Sequence, residues 1–183
     1  MAGKLVIISG PSGTGKSTIC KRLCEKDSRI RLSVSATTRP PRTGEHHGVD
    51  YYFISRDEFD KKIAAGEFAE HAEYAGRLYG TLREPVDEAV SRGLIVLLDI
   101  DVQGAEQVIG KYPDAVTIFI EPPDFEELLR RLHNRNTDSP EEKEKRVAIA
   151  RGEMEKSHQY KHRIVNDDLD DTVEKIYSLI AGR

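Results

Sequence analysis

The sequence predicts an α/β protein: a parallel sheet flanked by helices on both faces, and three observations carry that prediction. Short apolar runs alternate along the chain with stretches that read as amphipathic helices, the pattern of a covered parallel sheet. A glycine-rich turn, residues 10–15, joins the first apolar run to the first helix. The 183 residues suffice for one domain, and a compact domain of this size buries roughly 70% of its unfolded surface without needing disulfides or a structural metal.

Residues 5–9 read as a buried strand, and residues 16–26 as the helix behind the glycine-rich turn. Between Ser33 and Thr81 the pattern changes. Strand-like pieces at 33–37, 51–54 and 67–74 surround one short helix, with Pro40, Pro41, Gly44, Gly48 and Gly76 in the turns. This segment is expected to be a small β-rich excursion without a core of its own. Residues 94–100 and 115–121 are two more buried strands, each followed by a helix, at 103–111 and 125–134. Ile164 and Val165 make one further short strand. In the last helix Leu169, Val173, Ile176, Tyr177 and Ile180 share one face at helical spacing. A second insertion follows Asp138: Ser139 suits an N-cap, Pro140 the first helical position, and Glu142 completes a capping box. Glu141–Lys145 and Glu142–Arg146 are spaced as i,i+4 pairs, and the charge around this helix predicts that it projects into solvent. The expected organisation is a core of 1–33 and 82–183, a β-rich insertion at 34–81, and a helical insertion at 135–156 within the core span.

Composition excludes several classes. Charged residues make up 33% of the chain, and its longest apolar runs, 5–8 and 94–98, fall far short of the roughly 18 residues a bilayer requires. No membrane partner is expected. The net charge is −4 and the basic residues form no stripe, so no nucleic-acid partner is expected either. The N-terminus lacks the charged and apolar regions of a signal peptide, which points to a cytoplasmic protein. Cys20 and Cys24, four apart, read as reduced thilols on one helix face, with a disulfide or metal pair as the alternative. The six histidines show no zinc-ligand spacing.

Gly10-Pro11-Ser12-Gly13-Thr14-Gly15-Lys16-Ser17, followed by Thr18, matches the P-loop pattern at every fixed position, between a strand and a helix as that motif requires. The fold is therefore expected to be of the P-loop NTPase type. Glycines let the N–H groups turn inward, and the helix N-terminus adds partial positive charge. Lys16 can reach the β- and γ-phosphates of a nucleoside triphosphate, and the Ser17 hydroxyl can ligate Mg²⁺. Asp99 and Asp101 stand at the C-terminal end of a buried strand, the edge where open α/β sheets bind ligands. One of them, taken as Asp101, serves the Mg²⁺ side through water, or else Asp101 caps the following helix. A GTPase would carry an Asn-Lys-x-Asp guanine reader; Val165-Asn166-Asp167-Asp168 lacks the lysine.

In Ser35-Ala-Thr-Thr-Arg39-Pro-Pro-Arg42-Thr-Gly-Glu, two arginines three apart and stiffened by Pro-Pro make a fork for one phosphate. Tyr51, Tyr79 and Thr81 add hydroxyls. With the P-loop this gives two phosphate sites, the arrangement of a kinase whose acceptor is itself a phosphate.

These segments, together with Gly48-Val-Asp-Tyr51-Tyr-Phe, Gly66-Glu-Phe-Ala-Glu70, Asp99-Ile-Asp-Val-Gln-Gly104 and Val165-Asn-Asp-Asp, resemble the guanylate kinase family from the first strand to the last helix. The resemblance implies Mg²⁺-dependent transfer of a phosphoryl group from ATP to GMP or dGMP, with 34–81 binding GMP and 135–156 acting as a lid. It implies that Arg39, Arg42, Tyr51 and Tyr79 hold the GMP phosphate and that Ser35, Glu70, Thr81 and Asp99 read guanine. It also implies that Arg135 and Arg146 meet ATP phosphates, catalysis falling to Lys16, Arg39, Arg135 and Arg146. Asn136 departs from the glycine of the family's Arg-Gly-Thr-like turn. Chemistry supports the base reading: guanine presents N–H donors on N1 and N2, and one carboxylate satisfies both. The competing readings are a catalytically inactive guanylate-kinase-like module that binds partner proteins, and a kinase for a phosphorylated sugar. Neither monomer nor homo-oligomer is favoured by the sequence.

Overall fold

The computed structural model describes residues 2–74, 76–133 and 140–182. Its main sheet has five parallel strands in the order β2-β7-β1-β8-β9: β1 (Lys4–Ser9), β2 (Ile30–Leu32), β7 (Ile95–Asp99), β8 (Val116–Glu121) and β9 (His162–Val165). Both faces are covered, as the alternating pattern predicts. On one side α1 (Lys16–Lys26) and α7 (Leu169–Ala181) bury Ile19, Leu23, Val173, Ile176 and Ile180 against β1, β7 and β8. On the other, α3 (Arg83–Ser91) and α4 (Val102–Lys111) close over Ile7, Val96, Leu98 and Phe119. The sequence reading missed β2 and α3, both short; α3 buries a single residue fully, Val86.

The excursion forms a second sheet, in the order β4-β3-β6-β5, of β3 (Ala36–Thr37), β4 (Tyr52–Phe53), β5 (Phe68–Tyr74) and β6 (Arg77–Leu82), with α2 (Arg56–Ala64) packed on it. Contrary to expectation it has a small core of its own. Phe59 of α2 stacks on Phe68 of β5 with centroids 4.4 Å apart, and Ala36 and Leu78 complete the buried cluster. Two aromatic rings supply enough apolar area to cover one face of so short a sheet.

Two side chains of α4 tie this sheet to the main domain. Gln107 pairs with both backbone groups of His71, accepting from its N–H at 3.2 Å and donating to its carbonyl at 2.8 Å. Lys111 donates to the carbonyls of Phe68 and Ala69. A bulge in β5 between Phe68 and Glu70 shifts the register so that Glu70 faces Thr81; such bulges re-aim a side chain.

The helical insertion carries α6 (Pro140–Glu155), which follows α5 (Phe125–His133) of the core. Its charge predicts projection into solvent, yet α6 is docked by its few apolar residues: Ala150 is buried with Leu128 and Leu132 of α5, with Val147 and Phe125 beside them. Arg151 stacks over the Phe125 ring at 4.7 Å, and Lys156 pairs with Glu106 of α4 at 2.7 Å. The Ser139 cap, Arg135 and Asn136 lie outside the described residues, as do the side chains of Glu141 and Glu142. Among the described residues no helix is long and apolar enough to cross a membrane.

Candidate active site

The cradle forms where β1, at the centre of the sheet, turns into α1. Gly10 has φ 136° and lies so close to β8 that a Cβ would run into the Ile120 carbonyl, which makes glycine obligatory there. Thr14 is buried and binds the Pro11 carbonyl through both its N–H (3.3 Å) and its Oγ1 (2.8 Å). Gly15 is the N-cap of α1 and supplies no side-chain cap, and the first turn carries no acid. The first N–H groups of the helix are thus left for an anion. Pro11, Ser12 and Gly13 form the turn, Ser17 and Thr18 are exposed on the first turn of the helix, and Lys16 lies back across the loop, its Nζ donating to the Gly10 and Pro11 carbonyls at 2.7 and 3.0 Å.

Of the two strand-end carboxylates, one bonds to the cradle and the other takes the capping alternative that the sequence offered. Asp99, expected beside guanine, accepts a hydrogen bond from Ser17 Oγ at 2.6 Å. Asp101, expected on the Mg²⁺ side or as a helix cap, accepts from the Gly104 N–H at 2.8 Å as the N-cap of α4. The physical reason is local: β7 ends at Asp99, whose carboxylate remains over the cradle, whereas Asp101 already belongs to the next helix.

Asp101 lies beside Glu70. The Glu70 carboxylate is 4% exposed, accepts from Thr81 Oγ1 at 2.6 Å, and packs on Gly104 so closely that a Cβ there would meet Oε2 at 2.7 Å. Burial above all, with Asp101 adding to it, pushes Glu70 up to about 7 despite the Thr81 bond. Thr81 holds the Glu70 carboxylate through this bond. Replacing Gly104 with alanine is expected to displace Glu70 at little expense to the fold. The readout is a crystal structure of the variant, in which the Glu70–Thr81 hydrogen bond is expected to be broken; an unmoved Glu70 would show that the helix gives way instead.

Arg39 is held from several sides. Its guanidinium binds both oxygens of Glu45, at 2.9 and 2.8 Å, and the Pro40 carbonyl at 2.8 Å. It also lies over the rings of Tyr51 and Phe53, 5.5 and 5.7 Å from their centroids, and Tyr79 adjoins Tyr51 with centroids 6.2 Å apart. Arg42 does not form the expected side-chain fork with it. Its side chain is exposed, and its N–H donates to Glu45 Oε2 at 2.7 Å. Glu45, the last residue of the arginine segment, is the partner that sequence reasoning left without a role. Ser35 is half-buried at the start of this sheet, its carbonyl accepting from the Tyr52 N–H.

Tyr51 of the insertion lies within electrostatic reach of Asp99 on the cradle side. Tyr51 is raised from its ordinary value by burial first, then by the charges around it, among them Asp99 from the cradle side. Arg146, on α6, is half-buried. Two further groups near the cradle had no distinguishing pattern in the sequence. Arg131 of α5 donates to the Gly13 carbonyl at 3.4 Å. Glu153 of α6 is pushed up to about 7 by burial, with Lys16 acting against that and Asp101 with it. Cys20 is buried and Cys24 half-buried, both free thiols, and burial raises each.

A family model described as guanylate kinase matches residues 2–182. The chain is 48% identical over 180 residues to the guanylate kinase of Geobacter metallireducens, covering 98% of this chain and 89% of that protein. It is 47% identical over 174 residues to the guanylate kinase of Synechococcus sp. (strain CC9902), covering 95% and 93%. Among solved structures, the crystal structure of guanylate kinase from Anaplasma phagocytophilum superposes with a TM-score of 0.80 at 36% identity, over 99% of this chain and 86% of that one.

Proposed function

This chain belongs to the guanylate kinase family, and we propose that it is an ATP:GMP phosphotransferase, with ATP in the cradle at Gly10–Thr18 and GMP on the facing insertion sheet. The observation that carries the reading is the pair Asp99 and Asp101. Two residues apart, they serve two sites, one bonded to the cradle hydroxyl and the other beside the buried Glu70. The matched relatives favour this over an inactive binding module or a sugar-phosphate kinase.

GMP needs no general base, because a phosphate monoester with a second pKa near ~6 is already largely dianionic at neutral pH. The obstacle is repulsion between phosphates: two unit charges 5 Å apart oppose each other by about 3 kcal/mol at an effective dielectric of 20. Lys16 on the donor side and Arg39 on the acceptor side answer that repulsion, with Arg42, Arg135 and Arg146 assigned to the same task. Tyr51 and Tyr79 orient the GMP phosphate through their hydroxyls. Glu70 accepts from guanine N1–H and N2–H while Thr81 fixes its orientation, and Asp101 stands close enough to share the 2-amino group. Ser35 is assigned to the acceptor edge of the base. α6 excludes water, since an open site would hydrolyse ATP.

The oxygen atoms of Ser17 and Asp99, 2.6 Å apart at the mouth of the cradle, are hard donors of the kind Mg²⁺ takes. The ion would neutralise charge on the ATP phosphates there. Asp99, bonded to the Ser17 hydroxyl, takes the Mg²⁺-side part that the sequence reading gave to Asp101. Ser17→Ala is expected to lower turnover and to raise the Mg²⁺ concentration for half-maximal activity by about tenfold, through the loss of one oxygen donor to the ion. A Mg²⁺ titration that superposes on the native one would remove Ser17 from the metal side.

A coupled assay of ADP release with GMP, dGMP, AMP, UMP and ribose 5-phosphate tests the whole reading. Release is expected with the guanine nucleotides and near background with the others. Equal rates with AMP, or release independent of any acceptor, would overturn it.

A further inference from the structure

The motif Val165-Asn166-Asp167-Asp168 contributes to the family resemblance but has no part in the reaction described above. Asp168 is the N-cap of α7, accepting from the Asp171 N–H at 2.9 Å. We propose that Asn166 is a positioning residue for the phosphate cradle: by holding the Thr14 carbonyl it aims the next amide, Gly15 N–H, at the bound phosphate. The proposal rests on the cradle being the ATP site.

Asn166 stands just past the end of β9, where its own N–H donates to the Glu121 carbonyl at 2.8 Å. It is 7% exposed, and its Nδ2 donates to the Thr14 carbonyl at 2.8 Å, a contact between parts of the chain 152 residues apart. No peptide bond among the described residues is cis, and in a trans peptide the carbonyl and the following N–H point in opposite directions. A Thr14 carbonyl drawn toward β9 therefore turns the Gly15 N–H away from it. Thr14 is itself held by the bonds of its N–H and Oγ1 to the Pro11 carbonyl, so the residue from which this peptide plane starts is fixed as well. The approach is close: Gly15 has φ 90°, and a Cβ on it would meet Asn166 Nδ2 at 2.7 Å.

The side chain accepts a penalty for this contact. Asn166 Oδ1 is buried without a hydrogen-bond partner among the described residues. Turning the amide over would set Oδ1 against the Thr14 carbonyl, two acceptors face to face, so the orphaned oxygen is the consequence of holding the cradle. A glycine-rich loop has wide conformational freedom, and amides already aligned before the phosphate arrives require no reorganisation when it binds.

Inorganic tripolyphosphate separates a cradle effect from any contact with the nucleoside, because it carries the phosphates alone. Calorimetric titration of native protein, Asn166→Ala and Asn166→Ser with tripolyphosphate, ATP and GMP is the test. Both variants are expected to lose about tenfold in affinity for tripolyphosphate and ATP, the effect of one buried hydrogen bond, with GMP affinity and the KM for GMP unchanged. Unchanged tripolyphosphate affinity in variants that still bind GMP would overturn the proposal, and so would a loss confined to ATP. If neither truncation binds GMP, the isosteric Asn166→Asp takes their place. Its carboxylate cannot donate to Thr14, so native affinity for tripolyphosphate in that variant is equally fatal. A native protein in which tripolyphosphate fails to compete with ATP would instead sink the cradle reading itself, and this proposal with it.

Discussion

Lys16→Met is expected to reduce phosphoryl transfer about 10³-fold while leaving the protein folded, the upper end of what removing one preorganised donor to a charged transition state does. Lys16 Nζ rests on the Gly10 and Pro11 carbonyls of its own loop, so its ammonium is already stationed at the mouth of the cradle. Methionine keeps most of the aliphatic stem and removes the charge alone. The two carbonyls that lose a donor belong to buried residues at the edge of the cradle, and the net value of each bond is about 1 kcal/mol, so a fall of only a few degrees in the thermal midpoint is expected. Rate by coupled ADP release, with far-ultraviolet circular dichroism and thermal melting as controls, is the measurement. A turnover within tenfold of native would show that Lys16 is not the cradle's cation. Loss of the melting transition would show instead that the lysine props up the loop.

The cradle was legible in the sequence because its chemistry dictates both residue type and spacing: inward amides need glycines, and the lysine must follow the last of them. The parallel sheet was legible for a similar reason, since strands buried on both faces must be apolar runs, as in Val6-Ile7-Ile8 and Ile95-Val96-Leu97-Leu98. Side-chain direction was not. Asp99 and Asp101 are two residues apart, a spacing that a continuing strand would put on one face. Because β7 stops at Asp99 and Asp101 caps α4, they diverge to two sites. A reading that weighed Asp101 as an N-cap, with the Gly104 N–H three residues on, contained the signal. The Glu70–Thr81 pair was beyond the sequence, because a bulge at Ala69 sets its register. The core of the insertion was hidden because its stacked rings, Phe59 and Phe68, come from different elements. The docking of α6 rests on small residues such as Ala150, whose apolar signal is swamped by the charges around it.

Glu70→Gln carries the second large expectation, and it acts in opposite directions on stability and on activity. An unfolded glutamate ionises near 4.5, whereas burial pushes folded Glu70 up to about 7. Between these values the folded protein holds a proton that the unfolded chain has released, so its stability falls as pH rises through that window. Above 7 both states are ionised and the whole penalty of the buried charge is present. At about 1.4 kcal/mol per tenfold step in proton affinity, that penalty amounts to about 3 kcal/mol. Glutamine has nearly the same shape, can still accept from Thr81, and never ionises. Ligand-free Glu70→Gln is therefore expected to be more stable than the native protein at pH 8 and scarcely different at pH 4, as read by urea unfolding at the two values. Its effect on the substrate is the reverse. The amide NH₂ would point a donor at guanine N–H groups, removing two charge-assisted hydrogen bonds of about 2 kcal/mol each and lowering kcat/KM for GMP about 10³-fold, with the KM for ATP unaltered. The native protein should also bind guanosine, which has no phosphate to titrate, more tightly as pH rises from 6 to 8, and Glu70→Gln should not. A variant that gained no stability at pH 8 would mean that the buried carboxylate is relieved by partners other than Thr81. One that kept native selectivity for GMP over AMP would move guanine recognition away from Glu70 altogether.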